Sequence, residues 1–404
     1  MRLLFVADGR SPIARSWITY LLQAGHAIHL VSTFSCAPIA GLASLHGVSA
    51  AFSRSGGAAA PGSARGGARA MGMRGMIRHW LGPWTLPGAA RRLSSIVAEV
   101  HPDVVHALRI PYEGMLSASL AADVPLLVSV WGNDFTLHAG ASPGMRRWTR
   151  RCMARADGLH VDCRRDLGLA QTWGFGASRP SLIIPTNGGV QTQLFRPTPP
   201  QDLPRDSDLR LRLARLGERP IVVQPRGFRT YVRNDTFFRS IPEIVRQVPD
   251  VHFLCPGMEG EAEAEKWLRR LGIEPAVSLL PGLTPSEMAA VFQQSLVAVS
   301  PTTHDGTPNT LLEAMACGVL PVAGDLNSLR EWIEPGRNGL LVDPHDAAAL
   351  AGAVIEGLRS AKLRRQASEV NRQIVLERAD YAKCMQEAQQ LYNRLTASAS
   401  SAML

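Results

Sequence analysis

The stretch HDGTPNTLLEAMACG, residues 304–318, holds two carboxylates, Asp305 and Glu313, separated by a Thr-Pro turn and the opening of an apolar helix. Ionised carboxylates are strong acceptors for paired hydroxyls such as those of a sugar or a ribose. A helix start offers a complementary chemistry, because its first backbone N–H groups lack intrahelical partners and its dipole favours phosphate. Thr307 is expected to cap this helix, Pro308 to take its first position and Gly318 to end it. The N–H groups of Asn309, Thr310 and Leu311 are then expected to be open to a ligand. Hydroxyl acceptors beside a phosphate site fit a sugar nucleotide.

Such a constellation needs a parallel sheet, since open parallel sheets bind ligands outside the carboxyl ends of their strands. The first half of the chain alternates the runs RLLFVAD, HAIHLVST, PDVVHAL, PLLVSVWG, GLHVD and SLIIPTNGG with helix-period stretches. The second half restarts the pattern with PIVVQPRG, DVHFLCPG, VSLLPG, LVAVSP and VLPVAGD. The fold class read from this is α/β, with two Rossmann-like domains and a central cleft. A chain of 404 residues suits two domains. The run RPTPPQDLPRDSD, rich in proline and charge, reads as the connection between them. The expected division is a first domain at 1–195, a linker at 196–217, a second domain at 218–375 and a final helical segment at 376–404 that packs back on the first domain. Residues 53–75, rich in Gly, Ala and Arg, are expected to form a mobile loop.

Composition narrows the function classes. With 46% hydrophobic and 19% charged residues the chain is globular, and no apolar run reaches the roughly 18–20 residues of a membrane-spanning helix. The opening MRLLFVADGR reads as a first strand and not a secretory signal, so a cytosolic location is expected. Six scattered cysteines without a C-x-x-C pair argue against zinc and a disulfide framework. The net charge of +9 is uneven: residues 1–200 hold 20 Arg against 9 acids, and the remainder 23 basic against 25 acidic residues. A basic first half could face nucleic acid, anionic lipid or an anionic substrate, or be a solvated face. No nucleic-acid recognition module or basic-aromatic repeat is found, so no nucleic-acid partner is expected.

The segment around Asp305 and Glu313 resembles the E-x7-E region of retaining GT-B glycosyltransferases of family four, with Asp305 as the first acid and Glu313 as the second. GHAIHLVS, HPDVVHAL, NGGVQTQLFRP and LREWIEPGRNGLLVDPHDAAALAGAV resemble further family segments in the family's order, so the likeness runs from about residue 2 to 395. It implies the following roles. Glu313 would bind ribose hydroxyls, Asp305 and the backbone of Gly306, Thr307 and Asn309 would hold the transferred sugar, and Thr310 and Leu311 would contact the diphosphate. Gly9, in ADGRSP, would approach the phosphates closely, with Arg10 adding charge. Arg226 falls at the family's phosphate-binding arginine, and Arg229 or Arg233 would replace a family lysine that has no match here. Trp131 stands where many members carry a catalytic-site His, and Asp134, in WGNDF, is the candidate for acceptor or sugar contact. Gln191 replaces the acid of the N-G-V-D segment. His106 reads as a hydrogen-bonded core residue.

The implied reaction moves a sugar from a nucleotide-sugar donor to a saccharide or lipid-linked acceptor with retention of configuration, using no metal and no cofactor. The D-x-D-like run 206–208 sits in the linker and reads as a capping or solvated segment. Arginines and tryptophans in RRWTRRCMARA and GMIRHWLGPW are compatible with an anionic membrane surface as a partner. Rival readings are a sugar-nucleotide 2-epimerase on the same fold and a degenerate binding or scaffold protein. A phosphorylase-like reading finds no convincing Schiff-base lysine among Lys266, Lys362 and Lys383.

Overall fold

The computed structural model describes residues 1–53, 68–197 and 207–402, with the side chains of 68–74 and 398–402 left aside. The chain divides into two compact units, Met1–Gly189 with Ala382–Leu404, and Val190–Tyr381.

The first unit is built on a parallel sheet of β1 (Arg2–Ala7), β2 (Ala27–Ser32), β3 (Ser44–Gly47), β4 (Val104–Leu108), β5 (Leu126–Val130), β6 (Gly158–Val161) and β7 (Ser181–Ile183). The strand order is β3-β2-β1-β4-β5-β6-β7. β4 and β5 are buried along their whole length, as central strands covered on both faces must be. β3 is an edge strand whose burial alternates, and it is too short and polar to have stood out in the sequence. The direction of winding reverses between β1 and β4, which defines a switch point where loops diverge and leave a crevice.

The helix Tyr381–Ala402 completes this unit by burying Met385, Ala388, Leu391, Tyr392 and Leu395, a three-four spacing along one stripe. Tyr392 is wholly buried, and its hydroxyl meets His106 Nδ1 at 2.6 Å. His106 Nε2 lies 2.8 Å from Ser129 Oγ, which in turn lies 2.8 Å from His160 Nδ1. His106 is therefore a hydrogen-bonded core residue. Burial lowers the pKa of both histidines, His160 to about 4, so both are neutral in the fold. A histidine whose folded pKa lies below its unfolded value of about 6.5 supports the fold above that pH and withdraws support as pH falls. These two histidines are accordingly expected to withdraw stability from the first unit as pH falls from about 6.5 toward 4. Tyr392→Phe, which strands a buried ring nitrogen, is expected to cost about 1–3 kcal/mol in urea unfolding at pH 7. An unchanged urea midpoint would show that this hydroxyl does not hold the helix.

The second unit carries the parallel sheet of β8 (Ile221–Val223), β9 (His252–Pro256), β10 (Val277–Leu280), β11 (Val297–Ser300), β12 (Leu320–Gly324) and β13 (Leu340–Val342), in the order β10-β9-β8-β11-β12-β13. Successive strand residues point to opposite faces: Val222 and Phe253 enter one core, Val223 and Leu254 the other.

Three expectations about organisation change. The second unit begins at Val190, and the expected linker contains the helix Asp208–Leu216, whose Leu209 and Leu213 pack into the second core. The proline-rich part, 198–206, lies outside the described residues. Ser207 Oγ accepts the N–H of Arg210 and so caps that helix, while Asp208 pairs with Arg212. The final segment changes units at residues 381 and 382, because the helix Ala361–Arg378 still belongs to the second unit. Of the expected mobile loop, 54–67 lies outside the described residues, whereas 68–75 opens the helix Ala68–Val100.

Candidate functional site

In the second unit, β11 delivers the chain at Pro301 into a loop that returns as the helix Asn309–Ala316. Pro308, not Thr307, is the N-cap, and no side chain caps the helix. Thr307 is buried and instead accepts from Trp332 Nε1 at 3.0 Å, so its hydroxyl pins the loop to a partner distant in sequence. Ser328 Oγ fixes the same loop by donating to the Asp305 carbonyl at 2.7 Å, beside the buried Gly306. The N–H of Leu311 is spent on Pro308 O at 3.0 Å and its side chain is core, which removes Leu311 from the open helix start. Asn309 and Thr310 remain: their backbone N–H groups have no acceptor among the described residues. Their buried side-chain oxygens, Oδ1 and Oγ1, also lack partners. Polar groups buried in this way are costly unless a ligand or water satisfies them.

Glu313 sits one turn further, partly exposed, with no hydrogen-bond partner for its carboxyl among the described residues. Burial pushes this carboxyl up to about 7, and the nearby Arg226 only partly offsets that. Arg226, on the loop after β8, reaches Asp305 at 2.6 Å, with side-chain exposures of 11% and 14%. Its backbone N–H donates to the buried Gln224, which donates to the buried Asn234. The two expected lysine substitutes differ. Arg233 is held by both oxygens of Asp235, each at 2.8 Å, which commits its fork to its own helix. Arg229 is exposed and braces the loop through the Arg226 carbonyl at 3.0 Å.

The first unit places its candidates differently from expectation. Asp134 is fully buried and accepts from Arg109 Nη2 at 2.8 Å, Ile110 N at 2.9 Å and Trp131 N at 3.1 Å. It ties the loops after β4 and β5 together and cannot touch a substrate; it is a positioning residue for Arg109. The N–H of Gly9 is taken by Ser32 Oγ at 3.0 Å, and a Cβ there would come within 2.5 Å of Cys36 Sγ. A side chain at this position would displace Cys36, and the amide, held by Ser32, is not available to a phosphate. Arg10 is paired through Nε and Nη2 with Asp8 and lies over Phe34 at 4.0 Å.

Asp8, Arg10 and Phe34 border a cavity of about 400 Å³ whose other walls include Arg78, Arg109, Glu113, Trp131 and His138. Sequence reading missed Arg78, Arg109 and Glu113. Arg109 and Glu113 follow the buried run VVHAL directly, and that position at a strand's carboxyl end was the available signal. Elsewhere in the unit, ligand atoms of Asp162, Cys163 and Asp166 lie within 4.8 Å of one another. Asp166 is paired with Arg165 at 2.8 Å, and Asp162 accepts from Thr186 at 2.9 Å, so the group locks the turn after β6.

This architecture is shared with solved proteins. Sucrose-phosphate synthase of Thermosynechococcus elongatus superposes with a TM-score of 0.75 at 18% identity, covering 98% of this chain and 99% of that one. Anabaena HepE, solved in complex with UDP and glucose, superposes at 0.70 and 17%, covering 97% and 100%. The fold is GT-B. The profile of the Glycosyl transferase 4-like domain matches residues 9–185 and that of Glycosyl transferases group 1 matches residues 224–360. The chain belongs to the group 1 glycosyl transferases.

Among curated relatives, a GDP-mannose-dependent alpha-(1-6)-phosphatidylinositol monomannoside mannosyltransferase of Mycolicibacterium smegmatis is 30% identical over 191 residues, 45% of this chain and 47% of that protein. A D-inositol 3-phosphate glycosyltransferase of Corynebacterium kroppenstedtii is 30% identical over 124 residues, 29% and 28%. The chain thus spans less than half the length of these two relatives.

Proposed function

We propose that this protein transfers a hexose from a nucleotide-sugar donor to an acceptor hydroxyl with retention of configuration. The observation that carries this reading is the set of unmet polar groups around one helix start: the Glu313 carboxyl and the N–H and side-chain oxygens of Asn309 and Thr310. Glu313 accepts the ribose hydroxyls, the helix start holds the diphosphate, and Asp305 with the Gly306–Asn309 backbone holds the sugar. Arg226 meets the charge that grows on the leaving diphosphate as the bond to the sugar's anomeric carbon breaks. The acceptor oxygen bonds to that carbon on the same face and its proton passes to a leaving phosphate oxygen, so no protein nucleophile is required. Arginine takes the place of a metal ion, and no cofactor takes part. HepE, solved with UDP-glucose, and the GDP-mannose-dependent relative support a nucleotide sugar as donor. Proton NMR of the product tests the reading: the donor's anomeric configuration is preserved and the rate is unchanged by EDTA. An inverted product, or a rate abolished by EDTA, would overturn it. Donor turned over to an epimer without any acceptor would favour the 2-epimerase reading.

The reading extends to a peripheral location on an anionic membrane, with a lipid-linked or polysaccharide acceptor. The helix Ala68–Val100 exposes Trp80 at 56% and Trp84 at 83% along a groove of about 960 Å³, which Arg91, Arg147 and Arg151 also line. Exposed indoles beside arginines suit a headgroup interface. No described helix is long and apolar enough to cross a membrane. Sedimentation with phosphatidylglycerol vesicles is expected to carry down several-fold more protein than phosphatidylcholine vesicles, and the Trp80→Ala/Trp84→Ala variant is expected to lose that enrichment. Equal sedimentation on both lipids would remove the membrane from the account.

A further inference from the structure

The cavity at the switch point of the first unit is more specific than a generic basic surface. It opens at the carboxyl ends of β1, β4 and β5, and its walls bring Arg10, Arg78 and Arg109 to one space. Their charges are not equally available. Arg10 is neutralised by Asp8 at 2.9 Å and Arg109 by Asp134 at 2.8 Å. Arg78 makes no ion pair among the described residues, and its buried Nε has no acceptor. Its guanidinium lies 5.6 Å from the Phe34 ring centre and 4.8 Å from that of Tyr112. Two aromatic faces therefore hold a cation that has no ion-pair partner among the described residues and is partly shielded from water, the condition in which arginine binds phosphate through its planar fork.

The remaining polar wall suits hydroxyls. Glu113 is 4% exposed, accepts from Thr33 Oγ1 at 2.7 Å and is pushed by burial up to about 7, so it contributes less negative charge than a surface carboxylate would. His79 Nε2 and His138 Nδ1 are 3.0 Å apart, and burial keeps both rings neutral. The loop that aims Arg109 and Glu113 is strained. Arg109 has φ 96° and Tyr112 φ 71°, both in the region that favours glycine. Strain of about 1–3 kcal/mol per residue persists where the surroundings over-determine it, and here Asp134 grips Ile110 between the two. The volume falls within the roughly 300–1,000 Å³ of small-molecule sites.

We propose that this cavity binds the phosphate of a phosphorylated sugar or polyol, with Arg78 as its principal anchor and Glu113 and His79 receiving the hydroxyls. On the transferase reading, this ligand is the acceptor. An ester of this chemistry is either a soluble sugar phosphate or a lipid headgroup, and one calorimetric series on the full chain separates them. The probes are glucose 6-phosphate and glycerol 3-phosphate, their neutral parents glucose and glycerol, and vesicles of phosphatidylglycerol.

At least one phosphorylated probe is expected to bind at least tenfold tighter than its neutral parent. Arg78→Gln is expected to weaken it tenfold or more and Arg78→Lys to restore part of the loss. Arg92→Ala, an exposed arginine on the same helix, serves as the control and leaves binding unchanged. Arg78-dependent binding of soluble esters assigns a free phosphate, and Arg78-dependent binding of vesicles alone assigns a lipid headgroup. Equal affinity for neutral and phosphorylated probes, or full binding by a folded Arg78→Gln variant, would overturn the proposal. So would displacement of the probe by UDP or GDP, since that gives the cavity to the donor. Nucleotide-sugar binding in the same samples reads the second unit separately: its loss alone sinks the transferase reading, and loss of the phosphate probes alone sinks this one.

Discussion

Arg226→Ala is expected to lower kcat by about 10²–10³, the range seen when a preorganised group facing developing negative charge is removed. In the free protein Arg226 is clamped to Asp305 at 2.6 Å, and its backbone N–H is held by Gln224 at 2.8 Å, so it waits in place and needs no reorganisation as the diphosphate departs. Removing it also takes the ion-pair partner from Asp305 at a site of 14% exposure, which is expected to cost about 1–3 kcal/mol of stability. The two effects are read separately: urea unfolding reports the loss of stability, and turnover of the folded variant at saturating donor reports the loss of catalysis. Turnover by folded Arg226→Ala within a few-fold of the wild type would reduce Arg226 to a structural partner of Asp305.

The second large effect belongs to Glu313. No described residue donates to its carboxyl, so the hydrogen bonds it makes to ribose are gained on binding and are charge-assisted, each worth about 1.5–3 kcal/mol. Glu313→Ala is therefore expected to weaken donor binding by about 10- to 150-fold. The pH dependence follows from its position. An unfolded glutamate ionises near 4.5, whereas this one ionises near 7 in the fold because burial disfavours the charge. The folded state holds the proton over that interval, so this carboxyl withdraws up to roughly 3 kcal/mol of stability as pH rises from about 4.5 to 7, against the opposite trend of the buried histidines. Relative to the wild type, Glu313→Gln is expected to gain stability across that window and to be the more stable protein at pH 8. Donor affinity runs the other way: a carboxylate accepts both hydroxyls better than a carboxylic acid does, so wild-type affinity is expected to rise with pH through about 7. A donor affinity that falls as pH rises through 7 would contradict the assignment of Glu313 to the ribose.

What was legible in the sequence follows from the range of each interaction. Buried parallel strands appear as apolar runs because both faces are covered, so β4, β5, β9 and β11 stood out, while β3, polar and at an edge, did not. Glu313 and the Asn309–Thr310 helix start were legible because helix spacing alone places them together. Asp134 was misread because a carboxylate at a strand end looks the same whether it faces a ligand or turns inward, and the decision is made by Arg109, distant in sequence, and by backbone N–H groups. Thr307 was misread for a related reason, since its partner Trp332 is a tertiary neighbour. The Arg78 cavity was invisible because its walls come from separate segments that only the sheet's switch point brings together.

The central claim is that the second unit holds a nucleotide sugar on Glu313 and the helix start. Calorimetric titration of the full chain and of Glu313→Ala with UDP-, GDP- and ADP-sugars tests it most directly. The wild type is expected to bind one base series selectively, with affinity weakened at least tenfold in the variant. Absence of binding to all three, or equal binding by both proteins, would contradict it.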